Sequence, residues 1–448
     1  MKKNSFFYAL TVGALLCTTA CNSDQNGEPA PESNDEQVIT LAVANDNSVT
    51  RGGRELRGDK PGQKIDKVKI ILTSTDGAVK WTEELDWATL SKTYENGREA
   101  KVVIPKTDKG GFTLVDGTSY KVYAYGYSSE NSSYDLTPIT GVTTSTTGFG
   151  DVKLSLTDEA KTNGMLGDEI FAGSHEVSWS ATNHNIEMVL NRQVAGVYGY
   201  FEKIPYIETE GGAVGRYLHL VASNPQPSIY FSLLANTDHA NKTGVSYVVN
   251  GFGGTAGETI IATIDLCDWF GAELKEEVVD GEPAGIIDDA NWAKTVGETN
   301  AKKYDAGSVF FGKFLIPFAR TAGNTFRLVL STSETSVADP DAVHTWNILL
   351  PSNAKQTQEG NKAMVYNGTK FEKDETVDTR SIFNVLRNNL YSIGHRWSDK
   401  DDTGDPEDPN DPKPDPDDPD TPQPLNNEQD LLIRVNHNWE AIYRMDIE

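Results

Sequence analysis

The chain has 448 residues, 37% of them hydrophobic, with 40 lysines and arginines against 66 acids and a formal charge of −26. Phosphate binding needs a basic surface and the chain has no basic run, so the sequence excludes nucleic acid as a partner. The length allows two or three domains with substantial cores, and the low apolar share points to polar tails beside them.

Lys2 and Lys3 precede an apolar run from Phe6 to Leu16, followed by Cys17-Thr-Thr-Ala-Cys21. This is the layout of an export signal over residues 1–20, too short to span a bilayer. Small residues leading into Cys21 resemble the lipobox of bacterial lipoproteins, with Cys21 as the lipidated first residue. The alternative is an ordinary secretory signal cut near Ala20, because Thr18 stands where a lipobox most often has leucine. The polar stretch NSDQNGEPAPESNDEQ reads as a tether. Acyl chains, at about 0.8 kcal/mol per buried CH2, would hold it to a membrane. Beyond the leader only Cys267 remains, which leaves no intramolecular disulfide and no cysteine metal cluster.

VITLAVAN (38–45) is a short alternating strand. It runs into SVTRGGRELRGDKPG (48–62), where Arg51, Arg54 and Arg57 lie among four glycines in an exposed, protease-sensitive loop. From there the pattern is β throughout: KVKIILTS (67–74), the aromatic TSYKVYAYGYSS (118–129), GDVKLSLT, EVSWSA and NIEMVLNRQVAGVYGYFEKI. YLHLVAS, SIYFSLLA, VSYVV, TIIATIDL, SVFFGKFLIPF, TFRLVLSTS and HTWNILLP continue it. DLCDWFGAELKEEVV (265–279) has room for one short helix. Many short strands bounded by turn residues predict an all-β chain of two tandem β-sandwich domains, at 52–185 and 186–400.

DDTGDPEDPNDPKPDPDDPDTPQP (401–424) holds eight prolines and ten acids against one lysine. It buries no core, and as an extended polyproline arm it reaches roughly 75 Å. The end of the chain, residues 425–448, then alternates. Leu431, Ile433, Val435, Trp439, Tyr443, Met445 and Ile447 share one phase, and charged or polar residues fill most of the other. At about 3.3 Å per residue this strand reaches about 55 Å. A lone strand with a greasy face is an aggregation hazard unless it pairs. Pairing with a sheet edge of another molecule gives main-chain hydrogen bonds and pockets for alternate side chains, and head-to-tail repetition builds a filament. The alternative is an edge strand folded back onto the same chain.

These features resemble the fimbrillins of type V pili, in particular the structural subunit of the minor (short) fimbrium. The resemblance rests on the lipoprotein leader, the early strand ending at Arg51, LNRQVAGV (190–197), and NVLRNNLYSI (384–393) ahead of the Asp/Pro arm and IRVNHNWEAIYRMDIE (433–448). It implies transthyretin-like sandwiches and a precursor lipidated at Cys21 on the outer membrane. It further implies removal of residues 21–51 by an Arg-specific surface protease, with the cut at Arg51–Gly52 and Arg54 or Arg57 as competing sites. A neighbour's C-terminal strand then fills the groove left by residues 38–50, with Ile433, Val435, Trp439, Tyr443, Met445 and Ile447 as the donor positions. The implied partners are identical subunits, fimbrial anchor and tip proteins and the protease, in an extracellular fimbrium that supports adhesion. The alternatives are a fimbrial anchor or tip subunit, or a monomeric outer-membrane lipoprotein with a glycan-binding sandwich.

No enzyme signature appears, so no catalytic residue, metal or cofactor is assigned. Arg57-Gly58-Asp59 spells an integrin tripeptide but lies in the loop near the expected cut. NGFGGTAG (250–257) lacks the lysine of a phosphate loop and reads as a hairpin turn. Asp168-Glu169 and Asp288-Asp289 read as solvated turns, and the tryptophans as core and edge packing.

Overall fold

The computed structural model describes residues 36–43, 65–87, 99–105, 112–162, 168–179, 185–223, 226–234, 247–254, 257–288, 307–319, 326–349, 363–374, 384–394, 423–426, 431–432 and 434–436. In chain order its elements are β1 (Glu36–Val43), β2 (Lys67–Ser74), β3 (Val79–Asp86), β4 (Glu99–Pro105), β5 (Ser119–Tyr127), α1 (Thr137–Thr140), β6 (Val152–Ser155), α2 (Asp158–Thr162), β7 (Phe171–Ser178) and β8 (Asn185–Arg192). There follow β9 (Ala195–Glu202), β10 (Tyr217–Ser223), β11 (Ser228–Phe231), β12 (Val248–Val249), β13 (Gly251–Phe252), β14 (Glu258–Asp265), α3 (Leu266–Phe270), β15 (Glu276–Val279), β16 (Glu282–Ile287) and β17 (Val309–Leu315). The remainder are β18 (Phe326–Ser331), β19 (Ala342–Leu349), β20 (Met364–Tyr366), β21 (Phe371–Lys373), β22 (Leu390–Ile393), β23 (Gln423–Pro424), β24 (Leu431–Leu432) and β25 (Arg434–Asn436). The chain is all-β, and its sheets pack face to face.

The first sheet has the order β3-β2-β5-β7-β8-β1-β4. Its central strands are covered on both faces, which is why their apolar runs are nearly continuous. Along β2, Val68, Ile70 and Leu72 enter one core while Ile71 enters another. Along β5, Val122 and Ala124 join the first and Tyr123, Tyr125 and Tyr127 the second. Tyr120 also joins the first core, so the alternation in 118–129 divides the side chains between two cores rather than between dry and wet faces.

The second half packs β14-β10-β18-β19-β24 against a sheet ordered β17-β9-β22-β25, with β23 also beside β9. Leu218, Leu220, Leu328, Leu330 and Trp346 meet Val197, Val309, Phe311, Tyr391 and Ile393 between them. β17 too is buried on both faces: Phe310 and Phe314 turn to the core that holds Tyr123 and Tyr125. That shared core and the small sheet β13-β11-β6 join the two halves. β8 is hydrogen-bonded into the first sheet and β9 into the second-half sheet, so the change of sheet falls at Gln193-Val194.

In 265–279 a short helix forms over Leu266–Phe270. Asp265 caps it by accepting from Cys267 and Asp268 N–H, and Gly271 ends it in the left-handed region at φ 64°. The rest of that stretch opens the β15–β16 hairpin. The glycine-rich 250–257 does more than turn. Gly251 pairs with Ile229, and a Cβ there would fall 1.9 Å from the Pro317 carbonyl oxygen, so only glycine allows this approach.

Candidate functional site: the β1 slot, the C-terminal segment and the joint between them

β1 lies between two strands that come from far apart in the chain. Its register with β4 is antiparallel, from Glu36 beside Pro105 to Ala42 beside Glu99. With β8 it is parallel, from Val38 beside Asn185 to Val43 beside Leu190. Ile39 stands abreast of Val102 and Ile186, and Leu41 abreast of Ala100 and Met188. Val102, Ile104, Met188 and Leu190 on the flanking strands are buried in the first core.

The strand order makes β1 structurally decisive. β4 ends the sheet, and among the described residues β1 is its only sheet partner. β8 is tied to β7 by two register pairs, Phe171 with Arg192 and Ala172 with Asn191. Without β1 the sheet would split into a main body and a stranded β4, with two rows of unpaired main-chain groups facing a slot eight residues long.

Of the two placements the sequence allows for the C-terminal segment, a strand held away on the arm or an edge strand folded back, the described residues take the second. Gln423–Pro424 pairs with Phe201–Glu202 of β9, the Leu425 N–H donates to the Glu202 carbonyl at 2.9 Å, and Leu425 is buried in the second-half core. Burying a leucine side chain is worth about 1.5–3 kcal/mol, which anchors the segment on the second half at Leu425. Leu431–Leu432 then runs parallel to Ile348–Leu349 of β19. Arg434–Asn436 runs antiparallel to Leu390–Ser392 of β22, with Val435 beside Tyr391. The segment passes from one sheet of the second half to the other and pairs the open edge of each.

A buried polar joint connects the two regions. The Arg192 guanidinium, at the end of β8, pairs with the Glu169 carboxylate; the two side chains are 1% and 0% exposed. Arg192 Nη1 also donates to Asn388 Oδ1 at 2.9 Å, and the ring of Phe171 lies 5.1 Å from the guanidinium. Next to it, Arg387 Nη1 donates to Gln193 Oε1 (3.0 Å) and to the Ser232 carbonyl (3.2 Å), and Nη2 to the Leu233 carbonyl (2.8 Å). Asn250 Nδ2 donates to the Gln193 carbonyl at 3.2 Å. Burial pushes the Arg387 guanidinium down to about 9, still cationic at neutral pH. The backbone continues the joint, with the Asn388 N–H on the Val194 carbonyl and the Gly196 N–H on the Asn389 carbonyl, both at 2.9 Å. Thus the two motif blocks 190–197 and 384–393 interlock, linking the slot strand β8 to β22, the strand on which β25 rests.

Of the site residues expected from sequence, Val435 lies in β25. Cys21, Arg51, Gly52, Arg54, Arg57, Ile433, Trp439, Tyr443, Met445 and Ile447 lie outside the described residues, as does the Arg57-Gly58-Asp59 tripeptide. Asp168-Glu169 is not a solvated turn. Both residues are buried, and Asp168 Oδ2 accepts from the N–H groups of Ser132 (2.9 Å) and Ser133 (2.6 Å). Asp288 is half-buried and Asp289 lies outside the description. Trp81, Trp87, Trp179 and Trp346 are core residues. Sequence reasoning gave no role to Glu169, Gln193, Asn250 or Arg387. For Gln193 and Arg387 the available signal was an unbroken polar run between apolar residues, as in LNRQVAGV and NVLRNNL.

No family model and no curated protein matches the chain. Solved structures do. The fimbrial anchor protein Mfa2 from Porphyromonas gingivalis matches at 11% identity over 82% of this chain and 94% of that one, with a TM-score of 0.34. A fimbrial assembly protein from Parabacteroides distasonis matches at 10% identity over 80% and 89%, TM-score 0.32. A candidate adhesin from Bacteroides ovatus matches at 14% identity over 80% and 89%, TM-score 0.35. By name these neighbours are fimbrial and adhesion proteins. At these scores they carry no argument, and the reading of this chain rests on the geometry above.

Proposed function

We propose that the chain is a structural subunit of a cell-surface fimbria, and that β1 is a removable placeholder for a strand supplied by a neighbouring copy. The observation that carries this is the position of β1, inserted between β4 and β8 and indispensable to the pairing of β4. While residues 44–64 are intact, β1 competes for its slot as part of the same chain, at an effective concentration on the order of millimolar. A cut at Arg51–Gly52, Arg54 or Arg57 removes that tether, and β1 then leaves with the leader that Cys21 anchors to the outer membrane.

The donor in this account is the C-terminal segment, and the structure motivates a division of labour within it. Leu431–Leu432 and Arg434–Asn436 seat the segment on its own second half. Beyond them lie residues 437–448, twelve against the eight of β1, with Trp439, Tyr443, Met445 and Ile447 in one phase. Each large apolar side chain buried in the slot contributes about 1.5–3 kcal/mol, which favours the longer strand over β1. Ile433 and Val435 then serve as part of the seat. The contact is head-to-tail and does not close, so it propagates.

The test is hydrogen exchange at the β4 amides, residues 99–105, before and after an Arg-specific cut. Protection should fall when β1 is released at low concentration and return when the protein is concentrated. Protection that survives the cut unchanged, with the 36–51 fragment washed away, refutes the slot.

A further inference from the structure

Outside the four buried cores lies a compact group of aromatic rings. β6, β11 and β13 form a small sheet whose inner face, Val152, Leu154, Ile229 and Phe231, belongs to the shared core. Its outer face carries Lys153 and Tyr230 as a register pair, with Ser155, Ser228 and Phe252 in the next row. Tyr366 and Phe371, themselves paired across β20 and β21, pack against it. The Tyr230 and Tyr366 rings are stacked 4.2 Å apart, Phe252 stands edge-on to Tyr366 at 4.9 Å, and Phe371 is 5.1 Å from Tyr366. Tyr366 is buried beneath the group, and Tyr230, Phe252 and Phe371 stay partly exposed.

The rim is polar and mixed in sign. The ammonium of the exposed Lys153 lies 5.4 Å from the Tyr230 ring and 5.7 Å from that of Phe252. The Tyr230 hydroxyl donates to the exposed Asp151 carboxylate at 3.2 Å. Ser155 and Ser228 present hydroxyls 3.2 Å apart in the same face. An apolar shelf alone would suit any greasy partner. A shelf with a cation, a carboxylate and hydroxyls at its edge matches a ligand that has both C–H faces and many hydroxyl groups. Opposite charges side by side disfavour a polyanion.

We propose that this face binds a neutral saccharide, the sugar's C–H face lying on the Tyr230–Phe371 shelf, Lys153 donating to and Asp151 accepting from its hydroxyls. This is independent of strand exchange, because every residue involved lies away from β1 and β25 in sequence and sheet. On a polymer of this chain the patch would repeat once per subunit, and weak sites of this kind add through multivalency.

The experiment is native affinity electrophoresis of the full chain, in a sugar-free zwitterionic detergent, through gels cast with dextran, mannan, arabinogalactan, xylan or laminarin. A polygalacturonate gel serves as the acidic comparison. Retardation by at least one neutral polysaccharide is expected. It should weaken roughly tenfold, about 1.4 kcal/mol, in Tyr230→Ala and in the surface pair Asp151→Ala/Lys153→Ala. The surface pair leaves the cores untouched, so its fold is secure if Tyr230→Ala proves unstable. Migration unchanged in all five neutral gels overturns the proposal. So does retardation that both variants retain, or retardation confined to polygalacturonate.

Discussion

Replacing Glu169 by Gln removes one charge from the buried joint while nearly preserving shape. Arg192, 1% exposed, then faces a neutral amide in place of the carboxylate, beside its bond to Asn388 Oδ1. Breaking a buried pair from one side costs about 3–5 kcal/mol, a large part of the roughly 5–15 kcal/mol that holds a domain folded. A cost of about 3 kcal/mol lowers the folded-to-unfolded ratio more than a hundredfold. Equilibrium urea unfolding reads this as a lower midpoint at unchanged slope. The double variant Glu169→Leu/Arg192→Met removes both charges together and should recover most of the loss. About 1–3 kcal/mol should remain, because Asn388 loses its donor. A single variant that costs less than about 1 kcal/mol, or a double variant whose loss equals the sum of the two singles, would refute the argument that the joint is held by this pair.

Gly251→Ala should destabilise the second half by more than about 3 kcal/mol or prevent soluble expression, since its Cβ would meet the Pro317 carbonyl at 1.9 Å; a thermal midpoint unchanged from the parent contradicts this. His219 is buried and neutral, its Nδ1 accepting from Thr263 Oγ1 and its Nε2 donating to the Ser333 carbonyl, both at 2.9 Å. Burial holds its pKa below the usual value, so the unfolded chain takes up the proton first. Stability should therefore be fully present above about pH 6.5 and fall as the pH drops below it, with His219→Gln flattening that slope in urea titrations at several pH values. Trp439→Asp should leave the monomer's circular dichroism unchanged and abolish polymers, because a charge would enter an apolar slot; normal filaments under the electron microscope would remove Trp439 from the donor strand. Arg51→Ala should slow release of the leader, read by mass spectrometry of the mature N-terminus, and an unaltered N-terminus would move the cut to Arg54 or Arg57.

Much of the fold is legible because strands such as Lys67–Ser74 and Glu258–Asp265 are dense in β-branched residues between turn residues. What escaped is instructive. The run 185–204 reads as one strand but is two, β8 and β9. Neither glycine nor proline marks the change at Gln193-Val194; it is fixed by Asn250 and Arg387, which arrive from distant parts of the chain. The β15–β16 hairpin was written in Asp280-Gly281, whose φ angles of 54° and 86° suit a tight two-residue turn, but acidic neighbours hid the strands. β1 was recognisable as a strand, whereas its place between β4 and β8 depends on tertiary pairing that no local pattern encodes. The acidic arm was read from composition alone, and composition gives no weight to the one leucine at its end, Leu425, that the core buries.

Strand donation by the last residues is tested most directly by comparing the full chain with one ending at Asn436, which keeps β24 and β25 but lacks residues 437–448. Both are cut briefly with trypsin, concentrated, and run unboiled on a denaturing gel. The account predicts a ladder of multimers from the full chain and a single band from the shortened one. Ladders from both, or from neither, would contradict it.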